Sequence, residues 1–135
     1  MKDWFFEHQK KEAEAVVQQA GAIETIGLPD FDCEIVMGNP ARLVIEDFAL
    51  LGNAKRYLNK VFELSKWEIR QRFFTQGKTI TTWRTEQAKF EIWFECAVED
   101  YPDELKSDHC NWKKKANSTV KVEDYAFVCD NKGGE

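Results

Sequence analysis

Histidine is scarce, with His8 and His109 alone in 135 residues, and no stretch fits a P-loop, GxGxxG, GxSxG or HExxH pattern. The common phosphate cradles, nucleophile elbows and zinc-protease helices are therefore missing. One histidine falls on an apolar helical stripe and the other in a loop, so neither has a partner that would make it a catalytic base. No apolar run approaches the roughly 18 residues that span a bilayer. The opening MKDWFFEHQKK mixes acid and base where a secretory leader would be apolar. A cytoplasmic protein without membrane contact is the expectation.

Cys33, Cys96, Cys110 and Cys129 lack CxxC spacing, and reduced thiols are expected of all four. A metal site from Asp108, His109 and Cys110 with Cys129 would require neighbouring strand residues, which point to opposite faces, to share one ion. No metal and no cofactor is expected. Asn117-Ser118-Thr119 matches a glycosylation sequon and, without export, reads as a loop.

What the chain does have is core-forming material. It is 43% hydrophobic, with 10 Phe and 5 Trp, and 32% charged. That is the composition of a globular protein, and the length suits a single domain over residues 1–135 with a frayed tail at 130–135.

Residues 3–20 are strong helix formers, with Asp3 as N-cap, Gly21 as the stop and Trp4, Phe5, His8, Ala15 and Val16 along one stripe. TIGLPDFD reads as an irregular connection. CEIVM and RLVIEDFAL flank the turn signal GNPA, which predicts a β-hairpin over 32–49. Tyr57, Leu58, Val61, Phe62 and Leu64 recur at helical spacing, so a helix is predicted over 53–65. Turns at Gln76-Gly77 and Glu86-Gln87 divide the next stretch into strands near 67–75, 78–85 and 88–98. YPDELKSDHCNWKKKANS is a long polar connection. TVKVEDYAFVC makes a last strand with Val120, Val122, Ala126 and Val128 on its apolar side.

The fold class is α+β: N-terminal helix, β-hairpin, second helix, then an antiparallel meander of about four strands. In element order the chain resembles the cone-shaped fold of nuclear transport factor 2 and its small relatives, with a cystatin-like sheet wrapped on one helix as the competing plan. The resemblance involves no diagnostic motif and carries over no functional residue. It implies a curved sheet able to enclose a pocket.

The meander's alternation defines two faces. With the turns centred as above, Phe73 lies opposite Ile80, and Ile80 opposite Trp93. One face then collects Phe74, Trp83, Phe90, Ile92, Phe94 and Cys96 and reads as core. The other collects Ile69, Gln71, Phe73, Ile80, Thr82, Arg84, Lys89, Glu91, Trp93 and Glu95, a mixture of charge and large apolar groups. Open sheet faces are normally polar, so something is expected to cover part of it: the chain's own second helix or last strand, a partner protein or second copy, or a small molecule held between Trp93, Gln71, Arg84 and Glu91.

Charge is unevenly spread over a net of −5. Residues 54–89 hold nine basic and three acidic side chains, whereas 91–108 hold seven acidic and one basic. Arg70, Arg72, Lys78 and Trp83 are the side chains a single-strand nucleic-acid binder would use, basic groups for phosphate and an aromatic for stacking. The acidic flanks and the sequence pI of about 5.2 weigh against that partner. EDYPDE at 99–104, with Asp108, points instead to a basic protein surface.

The function expected is that of a small non-enzymatic interaction protein acting by protein–protein docking, an inhibitor or regulator of the kind mobile elements carry. Ile69, Phe73, Ile80, Arg84, Glu91, Trp93 and Glu95 are its contact candidates, and a second copy of the chain is an alternative occupant. A second reading is a cone-fold small-molecule binder or lyase- or isomerase-like enzyme with Glu91 or Glu95 as general base. The third is the nucleic-acid binder.

Overall fold

The computed structural model describes residues 14, 16–87, 89–106, 109–115 and 124–129. Asp3, Trp4, Phe5, His8, Ala15, Asp108, the sequon, Val120, Val122 and the 130–135 tail lie outside them. The fold is α+β, as expected: two helices, a five-stranded mixed sheet and a separate two-stranded sheet. The large sheet is open and does not close into a barrel. Among the described residues no helix is long and apolar enough to cross a membrane.

Helix α1 runs over 16–26. It passes through Gly21, the predicted stop, and ends at Gly27, whose φ of 109° and N–H bond to the Ile23 carbonyl form a left-handed C-terminal cap. The hairpin follows as β1 (Glu34–Val36) and β2 (Ala41–Ile45). Asp47 Oδ1 accepts the Ala49 N–H at 3.0 Å and caps a 3₁₀ turn at Phe48–Leu50 that runs directly into α2 (Leu51–Phe62). This cap sets the helix start ahead of the predicted residue 53. Glu63, in the left-handed region at φ 56°, ends it before 65. Ala54 and Leu58, one turn apart, are buried together against the sheet.

The meander is β3 (Glu68–Thr75), β4 (Lys78–Arg84) and β5 (Phe90–Cys96). Gln76 and Gly77 both have positive φ, the backbone that a two-residue hairpin turn demands. Sheet order is β1-β2-β5-β4-β3, with β2 and β5 parallel and the other pairs antiparallel. That parallel pairing joins the hairpin to the meander across the whole intervening chain.

Two register details correct the sequence reading. Phe73 does face Ile80, but Ile80 pairs with Glu95 and not Trp93. The β4–β5 connection is longer than a two-residue turn and slides the register by two places, which leaves every side chain on its predicted face. The second is an irregularity between Ile69 and Gln71, after which Ile69 pairs with Trp83. A bulge reverses the alternation, so Ile69 joins the Trp83 side of the sheet and leaves the mixed face.

The core lies on the face of Ala41, Leu43, Ile45, Trp83, Phe90, Ile92 and Phe94, covered by Leu58 and Leu64 and by Tyr101, Leu105 and Trp112. Tyr101, Leu105 and Trp112 belong to the stretch that the sequence reading took for a polar connection. A 3₁₀ turn at Val98–Asp100 precedes that stretch, and within it lie a second at Asp103–Leu105 and strand β6 (Cys110–Lys114). The final strand, β7 (Tyr125–Cys129), pairs with β6 in the small sheet and does not extend the meander. Its inward side chains are Tyr125 and Phe127, not Ala126 and Val128.

Cys110 and Cys129 stand directly opposite in this pair and are disulfide-bonded, which corrects the expectation of four reduced thiols. Cys33 and Cys96 are free. Because the bond closes a loop of 19 residues' separation, its removal should act mainly on the unfolded chain. The double variant Cys110→Ser/Cys129→Ser is expected to lose about 3 kcal/mol in urea-melt stability. A loss below about 0.5 kcal/mol would show that β6 and β7 contribute no constraint of this kind.

Candidate docking surface

The mixed face of the meander is built around two aromatic side chains. Phe73 on β3 and Trp93 on β5 meet edge to face, with ring centroids 5.7 Å apart and planes at 83°. Their strands are separated by β4, hence by roughly 10 Å, so the two rings must lean toward each other over the strand between. Beneath this arch lie Ile80, 2% exposed, and Thr82, 0% exposed. The second face is therefore covered in part by its own side chains. The cost is a Thr82 hydroxyl buried without a partner.

Charged groups hold the arch in place. The Arg42 guanidinium lies over the Trp93 ring at 4.5 Å, and the Trp93 indole N–H donates to Glu91 Oε1 at 3.0 Å. Arg70 Nη1 approaches the other Glu91 oxygen at 3.6 Å. Glu91 is only 7% exposed, and its neighbours in register are Arg42 on β2 and Arg84 on β4. A buried carboxylate needs such compensation. Through these contacts it braces Trp93.

An acidic end adjoins this face. Asp32, Glu34, Glu46 and Glu95 line a hollow of about 230 Å³. Glu46 and Glu95 also border a second hollow of about 490 Å³ with Asp47, Asp100 and Lys78. Lys78 is the sole cation among the described residues lining either. No cluster of the described His, Cys, Asp and Glu side chains has metal-binding geometry.

The two free thiols sit at these hollows. Burial pushes the Cys33 thiol above its ordinary value, and Asp32 raises it further. Cys96 is also raised chiefly by burial; Asp100 and Glu99 add to this, while the hydrogen bond with Thr79 opposes it.

Six of the seven contact candidates share one face: Phe73, Ile80, Arg84, Glu91, Trp93 and Glu95. Ile69 stands apart beyond the bulge. The nucleic-acid candidates are not brought together. Trp83 is buried in the core, Arg72 points into it, Arg70 is tied to Glu91, and Lys78 sits among carboxylates. The sequence reading passed over Arg42 and Val44, which β2 adds beside Glu91 and Trp93 through the parallel pairing. No local signal announces such a pairing; only the apolar alternation of ARLVI marks β2 as a strand with a buried side.

Compared with protein-family models, curated proteins and solved structures, the chain matches none.

The thiol environments make a kinetic prediction. Raised thiols carry less thiolate near neutral pH, so Cys33 and Cys96 in the native protein should react with iodoacetamide more slowly than free cysteine. Their rates should climb as pH is raised further than free cysteine requires. Mass-spectrometric labelling at pH 7.5 and pH 9.5 checks this; a rate equal to free cysteine at the lower pH contradicts it.

Proposed function

We propose that the protein is a non-enzymatic interaction module that docks the Phe73–Trp93 face of its sheet onto a partner protein. The observation that carries this reading is the arch itself. Two large aromatics are held ready-made at the surface, one braced by stacking and a hydrogen bond, so little side-chain freedom remains to be lost on contact. Half-buried Trp and Arg ringed by charge is the side-chain mixture that dominates binding energy in protein interfaces. Arg84 and Glu95 on the same face orient the partner, and the adjoining carboxylates favour one with a basic surface. A role as inhibitor or regulator suits such a module, since it needs contact and no chemistry.

The test is affinity capture of the tagged protein from lysate of its source after nuclease treatment, comparing wild type with Trp93→Ala and Arg84→Glu. One stoichiometric partner should be retained by wild type and reduced about tenfold or more by either change. Trp93→Ala should also cost about 1 kcal/mol of stability, because it unroofs Ile80 and Thr82. Arg84 is exposed but stands opposite Glu91, so its reversal should cost about 0.5–1 kcal/mol by like-charge repulsion and leave the protein folded. A partner retained equally by both variants, or retained only while nucleic acid is present, would sink the docking assignment. A symmetric dimer of the chain itself, broken by both changes, would name the second copy as occupant.

A further inference from the structure

At the free edge of β3, on the side where the small sheet packs, a cavity of about 330 Å³ is bordered by Arg72, Phe73, Phe74, Trp112, Tyr125 and Phe127, with Lys115 and the carboxylate of Asp124 at its rim. Its chemistry is unlike that of the acidic hollows. Arg72 donates from Nε to the Tyr101 hydroxyl at 3.1 Å and from Nη2 to the Leu105 carbonyl at 3.2 Å. Its plane lies 4.5 Å from the Phe127 ring. Those partners are neutral. No carboxylate of the described residues pairs with this arginine, and its Nη1 has no hydrogen-bond partner among them.

A half-buried guanidinium held without a counter-charge is costly, and arginine cannot shed its proton to escape that cost. The other cation at the rim is already matched, since Lys115 Nζ lies 3.0 Å from Asp124 Oδ2. Among the described residues, therefore, the Arg72 charge has no counter-charge in the cavity. Trp112, 6% exposed, adds a buried indole N–H that also has no partner. Around these donors the walls are aromatic, with Phe74 and Tyr125 in contact at 5.0 Å.

We propose that this cavity is a binding site for a small monoanionic carboxylate with a flat apolar body, such as a single-ring aromatic acid. The carboxylate would take the uncommitted donor edge of Arg72, forming a charge-assisted hydrogen bond, and the ring would lie against Phe74 and Tyr125. One net charge selects a monoanion over a phosphate dianion. The volume falls within the range of small-molecule pockets and suits a single ring. This site shares Phe73 with the docking face but does not depend on that face having a partner.

Benzoate is the probe, with benzamide as its neutral isostere and acetate as the anion without a ring. Each is titrated into the full-length ¹⁵N-labelled protein while the five tryptophan indole N–H resonances are followed. Benzoate should move the Trp112 signal saturably, benzamide should bind about tenfold more weakly for want of the charge-assisted bond, and acetate should do no better than benzamide. Arg72→Gln should weaken benzoate by a similar factor. If that variant does not fold, the benzoate–benzamide ratio on the wild-type protein decides alone. Equal shifts from benzoate and benzamide, equal shifts from acetate, a saturable response centred on another tryptophan, or unchanged benzoate affinity in folded Arg72→Gln would each overturn the assignment.

Discussion

Strand β4 has to be hidden on both sides, and most of the structure follows from that constraint. Five consecutive residues, Thr79 to Trp83, are buried. A strand in the middle of a sheet can achieve this only if each face carries a cover. On one face the cover is the core cluster to which Trp83 belongs. On the other it is the Phe73–Trp93 arch, supplied by the strands on either side. The threonines fit the same constraint. Thr79 donates to the Cys96 carbonyl, and Thr81 lies 2.9 Å from the Tyr101 hydroxyl, so two of the three buried hydroxyls are bonded. The third, Thr82, lies under the arch without a partner, as the price of covering the strand with rings.

The attachment of the small sheet to the large one depends on a second polar feature. Arg72 can only donate, so the Tyr101 oxygen accepts from it, leaving the tyrosine O–H free to donate to Thr81. A chain of hydrogen bonds thus runs from β3 through Tyr101 to β4, with the Leu105 carbonyl fastened to the same guanidinium. Tyr101, Trp112 and Phe127 then form a mutually touching aromatic trio, with centroids between 5.4 and 6.0 Å apart. Apolar packing supplies most of the favourable free energy here, and the arginine fixes which surfaces meet.

What could be read from the sequence was whatever is local. Period-two alternation in β3 to β5 placed Trp83, Phe90, Ile92 and Phe94 in the core correctly, even though the β4–β5 register is two residues from the predicted one, because a shift by two preserves the faces. Ile69 went to the wrong side because a bulge leaves no mark in a hydrophobic pattern. Strand β6 was missed because CNWKK has one large apolar residue among polar ones, too little for alternation to show. In β7 both sets of alternate residues are apolar, and Tyr125 with Phe127 fills the space below better than Ala126 with Val128. The disulfide was hidden for the same reason as β6: two cysteines 19 residues apart reveal no partnership until their strands are paired. On the mixed face, alternation grouped Phe73, Ile80, Arg84, Glu91, Trp93 and Glu95 together, but that two of these rings cover the strand between them requires knowing that Phe73 and Trp93 lean across β4.

Phe73 links the two surfaces described above. It forms one side of the arch and also borders the cavity at the edge of β3. Truncating it would remove a roof from Ile80 and a wall from the cavity together, so a loss of binding at either surface would not say which role had failed. Arg84 and Arg72 do not share this ambiguity. Arg84 belongs to the open face, where it flanks Glu91, whereas Arg72 belongs to the opposite side, where its partners are Tyr101, Leu105 and Phe127. The bulge between Ile69 and Gln71 adjoins this division, with Arg70 turned to Glu91 on one face and Arg72 to the core on the other. Two basic residues two places apart on one strand therefore serve different ends, one bracing the arch and one joining the sheets. Their separation across the sheet, more than their shared charge, decides what each can bind.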